Sequence, residues 1–537
     1  PIICTCRKLA HMQRHVVVGR TAQLRTEKIP KFSTGLLGQG LITYRNKRYL
    51  LWQQAAHRME IDGKSAGSLV EDAVVWANQH GLVVALKDPK FVNPDFAVIH
   101  APLSLMPVPY PRGRFELAQQ VMPLLNRLVD AVADDEGYLE STLGPAALYD
   151  TFTGRLLKTL QTTRSARSAL RAAGKEVVLG IHRSDYMLDE PSGKFLQVEL
   201  NTIASSFGCL SALMTQLHLY MASRLPALEP SRLPANPTLE HIPDAIAAAA
   251  NSVGYREEGG VVVMVVQPGE RNAYDQQWIQ LGLWERHRLR TVRMTLGDIA
   301  ATATLDKAQG GTVTLKTGEP VCVFYFRAGY TPADYPSEAE WAARELIEQS
   351  NAAKCPTVAY QLAGTKKIQQ DLARPGILER FISDGRDAGL LREFFAGLWS
   401  LDPKDVATDP GVAAAVVDAI ARPEAYVLKP QREGGGNNLY GEELREMLKV
   451  GGEQLSAYIL MQRILPPANR SVLVRNGQWS ESETLNELGI YGTFVRHGKN
   501  VLLNEQSGHL VRTKTSSSNE GGVAAGFAVL DSPYLVD

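Results

Sequence analysis

Lys429-Pro-Gln-Arg-Glu-Gly-Gly-Gly-Asn-Asn438 lies between an apolar run ending at Leu428 and a helical pattern in which Leu444, Met447 and Leu448 share one face. Three consecutive glycines between a strand and a helix weaken both, because glycine loses the most backbone freedom on ordering. A bound anion accounts for them: bare N–H groups approach a phosphate closely when no Cβ intervenes. Lys429 supplies a point charge for that phosphate, and Glu433 a hard oxygen ligand suited to Mg²⁺. No Gly-Lys-Ser/Thr follows the glycines, so this is not a Walker loop. A plain solvent-exposed loop is the alternative, and the lysine and glutamate at its mouth weigh against it.

The 537 residues allow two to four domains at roughly 150 residues each. The 57 Lys and Arg equal the 57 Asp and Glu, so no net field steers the chain toward nucleic acid or an anionic membrane. Apolar runs such as 261–266 fall far short of a membrane span, and a soluble globular protein is expected. Cys4, Cys6, Cys209, Cys322 and Cys355 are too scattered for a disulfide framework, and Cys4-Thr-Cys6 has the wrong spacing for a zinc knuckle. Free thiols in a reducing compartment are the expectation.

Residues 1–58 differ in composition from the rest. No acidic residue precedes Glu27, while Arg7, Lys8, Arg14, Arg20 and Arg25 are spread through the segment. An arginine-rich, acid-poor stretch fits an organelle transit peptide, although serine is absent until Ser33. A chain beginning at Pro1 reads as a fragment, a processed form or a translated upstream region, with the folded core starting near Met59. A cytoplasmic protein is expected, with a plastid or mitochondrion as the alternative.

Gly63-Lys-Ser65-Ala-Gly67 formally matches a nucleophile elbow and the end of a Walker loop. No strand precedes it, and Arg58 stands where the Walker loop needs glycine, so both are rejected. Ser65 or Ser68 is expected to cap a helix carrying Leu69, Ala73, Val74 and Trp76. From there to about Leu179 the chain reads as mainly helical, broken by a proline-rich stretch at 102–111. Leu124, Leu125, Leu128, Val129 and Val132 form an amphipathic stripe that covers a sheet.

The motif Arg183-Ser-Asp-Tyr-Met187 is followed by Phe195-Leu-Gln-Val-Glu-Leu-Asn201-Thr-Ile-Ala-Ser-Ser206-Phe-Gly208. The latter begins as a strand with Leu196, Val198 and Leu200 on one face, which predicts Gln197, Glu199 and Asn201 together on the other. A carboxylate and an amide oxygen two residues apart can both reach one metal ion. An edge strand with a polar outer face is the competing reading.

After Gly259-Gly260 the pattern becomes compact α/β. An apolar strand at 261–266 precedes a helix through Trp278, Leu281 and Trp284, a strand near 291–294, a turn at Gly310-Gly311 and a strand at 321–326. Continuous apolar strands alternating with helices predict a parallel sheet buried on both faces, with ligands beyond the carboxyl ends of the strands. Glu270-Arg-Asn272-Ala-Tyr-Asp-Gln276 and Arg327-Ala-Gly-Tyr330 lie at those ends, and Arg327 suits a carboxylate or phosphate.

Ala363-Gly-Thr-Lys366-Lys367 opens a helix with two lysines in its first turn, where the helix dipole disfavours them and a polyphosphate would resolve the conflict. Met461, in a strand over 458–464, is placed to flank an adenine or to fill a core. Glu487-Leu-Gly-Ile-Tyr-Gly492 leads into an antiparallel pair turning at Gly498-Lys-Asn500. Arg512 and Lys514 share a strand face, and Gly521-Gly-Val-Ala-Ala-Gly526 is a small-residue loop able to close over a ligand. An exposed strand and turn would explain these two equally well.

Together, Arg183-Ser-Asp-Tyr, Glu199-Leu-Asn-Thr-Ile, Lys429 to Tyr440, Arg512-Thr-Lys514 and Gly521 to Gly526 resemble eukaryotic-type glutathione synthetase, in the family's order from about Gly63 to Asp537. The resemblance implies an α/β (α+β) ATP-grasp fold with an inserted parallel-sheet substrate-binding domain and a helical N-terminal part. Its expected division is 1–58 as an extension, 59–258 as the helical part with the metal strand, 259–364 as the substrate domain, and 365–537 as the ATP-grasp part with glycine loop and lid. It also implies a homodimer and a carbon–nitrogen ligase that joins γ-glutamylcysteine to glycine with ATP and Mg²⁺.

The implied roles follow residue by residue. Glu199, Asn201 and Glu433 would hold Mg²⁺. Lys366, Lys429, Lys514 and Gly434, Gly435, Gly436 and Asn437 would bind ATP, with Asn438, Tyr440, Met461 and Glu487 around the nucleoside. Arg183, Ser205, Ser206, Glu270, Asn272, Gln276, Arg327, Tyr330 and Arg512 would hold the dipeptide, the acceptor or the acyl phosphate, with Arg183, Arg327 and Arg512 catalytic. Val523 and Ala524 would lie over the product. Ala204-Ser-Ser206 stands where the family pattern reads Ser-Ala-Ser, which leaves one serine contact open. The implied chemistry is attack of a carboxylate on the γ-phosphate, then displacement of phosphate by an amine, with positioning and charge stabilisation supplied by the protein. Ligation to β-alanine or serine, a phosphotransferase, and a nucleotide-binding regulator without turnover are the competing readings.

Overall fold

Val261–Val265 and Val321–Phe326 are continuously apolar because both faces of the sheet they enter are covered. Val261, Val263 and Val265 pack with Phe324 and Phe326 on one side. Val262 and Met264 pack on the other with Val323, Tyr325 and the Ile242 to Ala250 face of helix Thr238–Val253. This computed structural model describes residues 63–86, 97–255, 258–270, 272–308, 310–432, 436–518, 522–523 and 526–537. All of them belong to one unit, Arg48–Asp537.

Among the described residues eleven strands form the main sheet. Numbered along the chain, they are β1 (Leu103–Ser104), β2 (Val177–Asp189), β3 (Lys194–Asn201), β4 (Val261–Val265), β5 (Thr291–Met294), β6 (Val321–Phe326), β7 (Ala353–Cys355), β8 (Asn469–Arg475), β9 (Gln478–His497), β10 (Asn500–Thr515) and β11 (Ala528–Asp531). Their spatial order is β8-β1-β11-β10-β9-β2-β7-β6-β4-β5, and β3 pairs with β2. The run β2-β7-β6-β4-β5 is parallel, as the apolar strands predict. β2 also pairs antiparallel with β9, so the parallel half continues into the antiparallel hairpin β9–β10, which turns at Gly498-Lys499 with His497 facing Asn500. Three helices, Arg112–Asp134, Glu136–Ala147 and Thr151–Ala172, occupy the region read as helical, and Leu125, Leu128, Val129 and Val132 are buried as the stripe requires.

A second, three-stranded antiparallel sheet has Tyr458–Gln462 between Leu398–Ser400 and Tyr426–Pro430. Helix Gly441–Val450 packs Leu444 and Leu448 against Leu428 and Leu460 of this sheet. No helix among the described residues is long and apolar enough to cross a membrane.

Three local expectations are corrected. Helix Gly63–Gln79 already contains Ser65 and Ser68, so both lie inside it and not at its start; the helix extends a turn further toward the N-terminus than its apolar periodicity indicates. Helix Ala273–His287 forms as expected, but its buried side carries Asp275, Gln276, Ile279 and Leu283, while Leu281 and Trp284 are 41% and 50% exposed. Gln197 does not share a face with Glu199 and Asn201. Along the β2–β3 pair, Asn201 faces Arg183 and Glu199 faces Asp185, but Gln197 faces Tyr186, so Val198 is an extra residue. This bulge inverts the alternation and sends Gln197 to the far side, where its amide donates to Ser184 Oγ at 2.7 Å. Leu196 and Leu200 consequently enter different cores.

Candidate active site

A cleft of ≈ 420 Å³ opens between the small sheet and the β2, β3, β9 and β10 face of the large one. That volume lies in the usual range for small-molecule sites. β3 delivers Glu199 and Asn201, and the small sheet faces them with Lys429 and Met461. Lys366, in the first turn of helix Lys366–Leu372, reaches Glu199 Oε2 at 3.2 Å, and Lys429 Nζ donates to Val198 O at 2.8 Å. Lys367 points elsewhere, donating to Ser400 Oγ at 2.7 Å. The lysine pair therefore serves two different partners.

Burial pushes the Glu199 carboxyl up, but Lys366, Lys429, Arg512 and Arg183 outweigh it and hold the group well below the usual carboxylate range. Glu487, facing Arg512 across β9 and β10, goes the other way. Burial together with Asp185 and Glu199 raises it despite its ion pair with Arg512 and the nearby Lys514. The two carboxyls are thus driven apart, one firmly ionised and one holding its proton more tightly.

Asp185 joins these groups. Its carboxylate accepts from Arg183 Nε at 2.6 Å and Nη2 at 2.8 Å, from Arg512 Nη2 at 2.9 Å and from Asn201 Nδ2 at 2.9 Å. Asn201 Nδ2 also reaches Arg183 O at 3.3 Å, so the amide oxygen is the atom left for the cleft. Glu199 and this oxygen are hard donors of the kind Mg²⁺ takes, and they fit a site completed by phosphate oxygens and water. Met187, Val198, Val427, Met461 and Ile464 form an apolar wall nearby, and the Arg463 guanidinium lies 5.9 Å from the Tyr440 ring centroid.

A second polar cluster lies outside the cleft lining. Arg327, at the end of β6, pairs in full burial with Asp275 at 3.0 Å. Asp275 also accepts the backbone N–H groups of Phe207, Cys209 and Leu210 at 2.9, 3.0 and 3.3 Å. Those residues open helix Gly208–Ala222, and Ala204 and Phe207 have φ of +51° and +70°. The loop thereby turns Ser206 O toward Arg183 Nη1, at 3.2 Å, and the Tyr491 hydroxyl. Arg327 Nε and Nη1, Asn272 Oδ1 and Gln276 Oε1 are buried without a hydrogen-bond partner among the described residues, while Glu270 holds Asn272 N at 2.7 Å and Gln276 Nε2 at 3.3 Å.

The cleft thus gathers Arg183, Glu199, Asn201, Ser206, Tyr330, Lys366, Lys429, Asn437, Asn438, Tyr440, Met461, Glu487, Arg512, Lys514 and Val523. Glu270, Asn272, Gln276 and Arg327 stand in the second cluster. Ser205 is turned away from the cleft, donating to Ile181 O at 3.2 Å. Gly436 is described, with φ +77°, but is not part of the lining. Glu433, Gly434, Gly435 and Ala524 lie outside the described residues, as do Cys4 and Cys6; Cys209, Cys322 and Cys355 are buried thiols. Asp185 and Asp275 were not singled out in the sequence. Asp185 is two residues from Arg183 on one strand, the spacing that puts both on one face, whereas nothing local marks Asp275.

A family model described as "Eukaryotic glutathione synthase, ATP binding domain" matches residues 64–535. The chain is 47% identical over 488 residues to a tomato (Solanum lycopersicum) protein named glutathione synthetase, chloroplastic, covering 89% of this chain and 86% of that one. It is 40% identical to the glutathione synthetase of Dictyostelium discoideum, over 87% and 98% of the two chains. Among solved structures, a glutathione synthetase-like effector from Globodera pallida superposes with a TM-score of 0.67 at 23% identity, covering 89% of this chain and 98% of that one, a likeness of fold.

Proposed function

This chain belongs to the eukaryotic glutathione synthase family of ATP-dependent ligases, and we propose that its cleft joins γ-glutamylcysteine to glycine, giving glutathione, ADP and phosphate. The observation that carries this reading is Glu199 in the cleft with Lys366 at 3.2 Å from its Oε2 and with Lys429, Arg512 and Arg183 lining the same space. Lys366, Lys429, Lys514, Arg183 and Arg512 meet there against Glu199, Asp185 and a Glu487 that holds its proton more tightly, which leaves the site suited to further negative charge. ATP and two carboxylate-bearing substrates bring that charge.

In this reading the dipeptide's glycyl-accepting carboxylate attacks the γ-phosphate, and an acyl phosphate replaces a group whose leaving atom would otherwise be oxide. Lys366, Lys429 and Lys514 neutralise the phosphates, while the apolar wall at Met461 excludes water from the base side. Arg183 and Arg512 orient the carboxylates in the cleft, Arg327 offers at the second cluster its two nitrogens unpartnered among the described residues, and the amine of glycine then displaces phosphate. Glu199, Asn201 and Glu433 would hold Mg²⁺, which when bound neutralises charge on the transferring phosphoryl group. The family resemblance supports a homodimer, which light scattering reads directly.

The deciding assay is phosphate release with purified protein, ATP and Mg²⁺. Release requiring both γ-glutamylcysteine and an amine is expected. ADP formation with the dipeptide alone and without free phosphate would indicate a phosphotransferase, and no turnover under any combination a nucleotide binder. The tomato and Arabidopsis thaliana relatives are both named chloroplastic, which supports a plastid address in preference to the cytoplasmic expectation. Residues 1–58 fused to a fluorescent reporter should enter plastids; diffuse cytosolic signal would reverse that assignment.

A further inference from the structure

We infer that Asp185 is the positioning residue of this site, a single carboxylate that sets both the separation of Arg183 and Arg512 and the orientation of the Asn201 amide. The inference rests on the ligase reading and deepens it.

The geometry is over-determined. Asp185 is 0% exposed, and its two oxygens accept four hydrogen bonds, from Arg183 twice, Arg512 and Asn201. A fully buried carboxylate with every bond charge-assisted or aimed by a strand register has no freedom to move. β9 closes the remaining space. Gly489 pairs with Asp185 across the sheet, and a Cβ there would stand 2.7 Å from Asp185 Oδ1 and 2.8 Å from Arg183 Cδ. The strand has glycine where the carboxylate and guanidinium lie against its backbone.

Three consequences follow for groups that face the cleft. Arg183 spends Nε and Nη2 on Asp185 and Nη1 on Ser206 O, so its plane is fixed across the floor of the site. Arg512 shares one nitrogen between Asp185 and Glu487, which holds it from two sides. Asn201 could present either end of its amide to the cleft; by accepting from Nδ2, Asp185 turns the nitrogen inward and the oxygen outward. Only the oxygen can ligate a metal ion, and partners behind a ligand commonly fix its orientation in this way. Asp185 itself is buried behind the cleft and is not part of its lining.

Two variants test it. Asp185→Asn replaces one acceptor with a donor that confronts the Asn201 amide and the arginines. Its Mn²⁺ affinity in the presence of a non-hydrolysable ATP analogue, read by electron paramagnetic resonance, should fall about ten- to a hundredfold. Binding of the analogue without metal should stay within about twofold of wild type. In turnover, kcat/KM for the dipeptide should fall about a hundredfold or more. Gly489→Ala keeps every charge but pushes on the Asp185–Arg183 pair, and should lower kcat/KM in the same direction with the melting transition retained. A folded Asp185→Asn protein with wild-type Mn²⁺ affinity overturns the inference. If Asp185→Asn does not fold, unchanged kcat/KM in Gly489→Ala overturns it instead. Should the wild-type protein fail to ligate, the ligase reading falls, and the Mn²⁺ comparison still decides the role of Asp185.

Discussion

Arg327 and Asp275 meet at 3.0 Å with each side chain 1% exposed, and the same carboxylate holds three backbone N–H groups at the start of helix Gly208–Ala222. One buried ion pair therefore ties the end of a parallel strand to the loop that presents Ser206. Asp275→Ala would leave a guanidinium and three amides without acceptors. Breaking a buried pair in this way costs about 3–5 kcal/mol. Urea unfolding followed by circular dichroism should show a loss of that size. A change within the roughly 0.5 kcal/mol of a surface substitution would show that water relieves Arg327 when Asp275 is gone.

Glu199→Gln should separate metal-free from metal-dependent nucleotide binding. The carboxylate is ionised under the field of Lys366, Lys429, Arg512 and Arg183, and it repels any phosphate that arrives without a cation. Removing its charge should tighten metal-free ATP binding while turnover with Mg²⁺ falls by about a hundredfold or more, the order expected when a group stabilising developing charge is lost. A fluorescent ATP analogue titrated with and without Mg²⁺ reads the first effect. Weaker binding in both conditions would place Glu199 on the nucleotide rather than on the cation.

Asp531 predicts a pH-dependent stability. Burial pushes its carboxyl up to about 7, although the Thr513 hydroxyl, at 2.6 Å, and Ser532 N, at 2.7 Å, favour its charged form. A carboxyl with a folded-state value above its unfolded 3.8 binds its proton more tightly when folded. The contribution of Asp531 to stability is then largest in acid and declines as pH rises from about 4 toward 7. Asp531→Asn should abolish the decline, leaving the variant equal to wild type near pH 4 and more stable at pH 8, by up to the order of 4 kcal/mol. Urea midpoints at the two pH values check it. A pH-independent gap would mean that the carboxyl titrates normally.

The parallel strands at Val261–Val265 and Val321–Phe326 were legible because burial on both faces leaves an unbroken apolar run. Lys366 was legible as a cleft cation because a lysine in a helix's first turn is locally unfavourable, whereas Lys367, read with it, is taken by Ser400 and faces no cleft. Two features were not. The bulge at Val198 leaves no mark on composition, since Gln-Val-Glu alternates as a regular strand would, and only the pairing with β2 reveals the extra residue. Asp275 sits in an ordinary helical stretch, and its role arises from Phe207 and Arg327, 68 and 52 residues away. Contacts of that separation are set by packing, which a single sequence does not display.

Glycine should be the acceptor, in preference to β-alanine and serine. Val523 lines the cleft and is itself buried, packed with the core around Leu210, Leu213, Tyr491 and Leu530, so it is a wall rather than a flap. Val523 O accepts from Gly526 N, and Gly522 O from Phe527 N, both at 3.0 Å. Arg512, which we place on the acceptor carboxylate, is held between Asp185 and Glu487. With wall and anchor both fixed, the extra methylene of β-alanine must move the amine relative to the acyl phosphate, and serine must fit a hydroxymethyl beside Val523. A displacement of about 1 Å can cost on the order of a hundredfold in rate. ADP formation with each amine, at saturating ATP and γ-glutamylcysteine, gives the ratio of kcat/KM values. A preference for glycine of at least about tenfold is expected from an added methylene alone. Val523→Ala should narrow the margin against serine by opening the wall. Equal or better use of β-alanine by the wild-type protein would overturn the acceptor assignment while leaving the ligase chemistry in place.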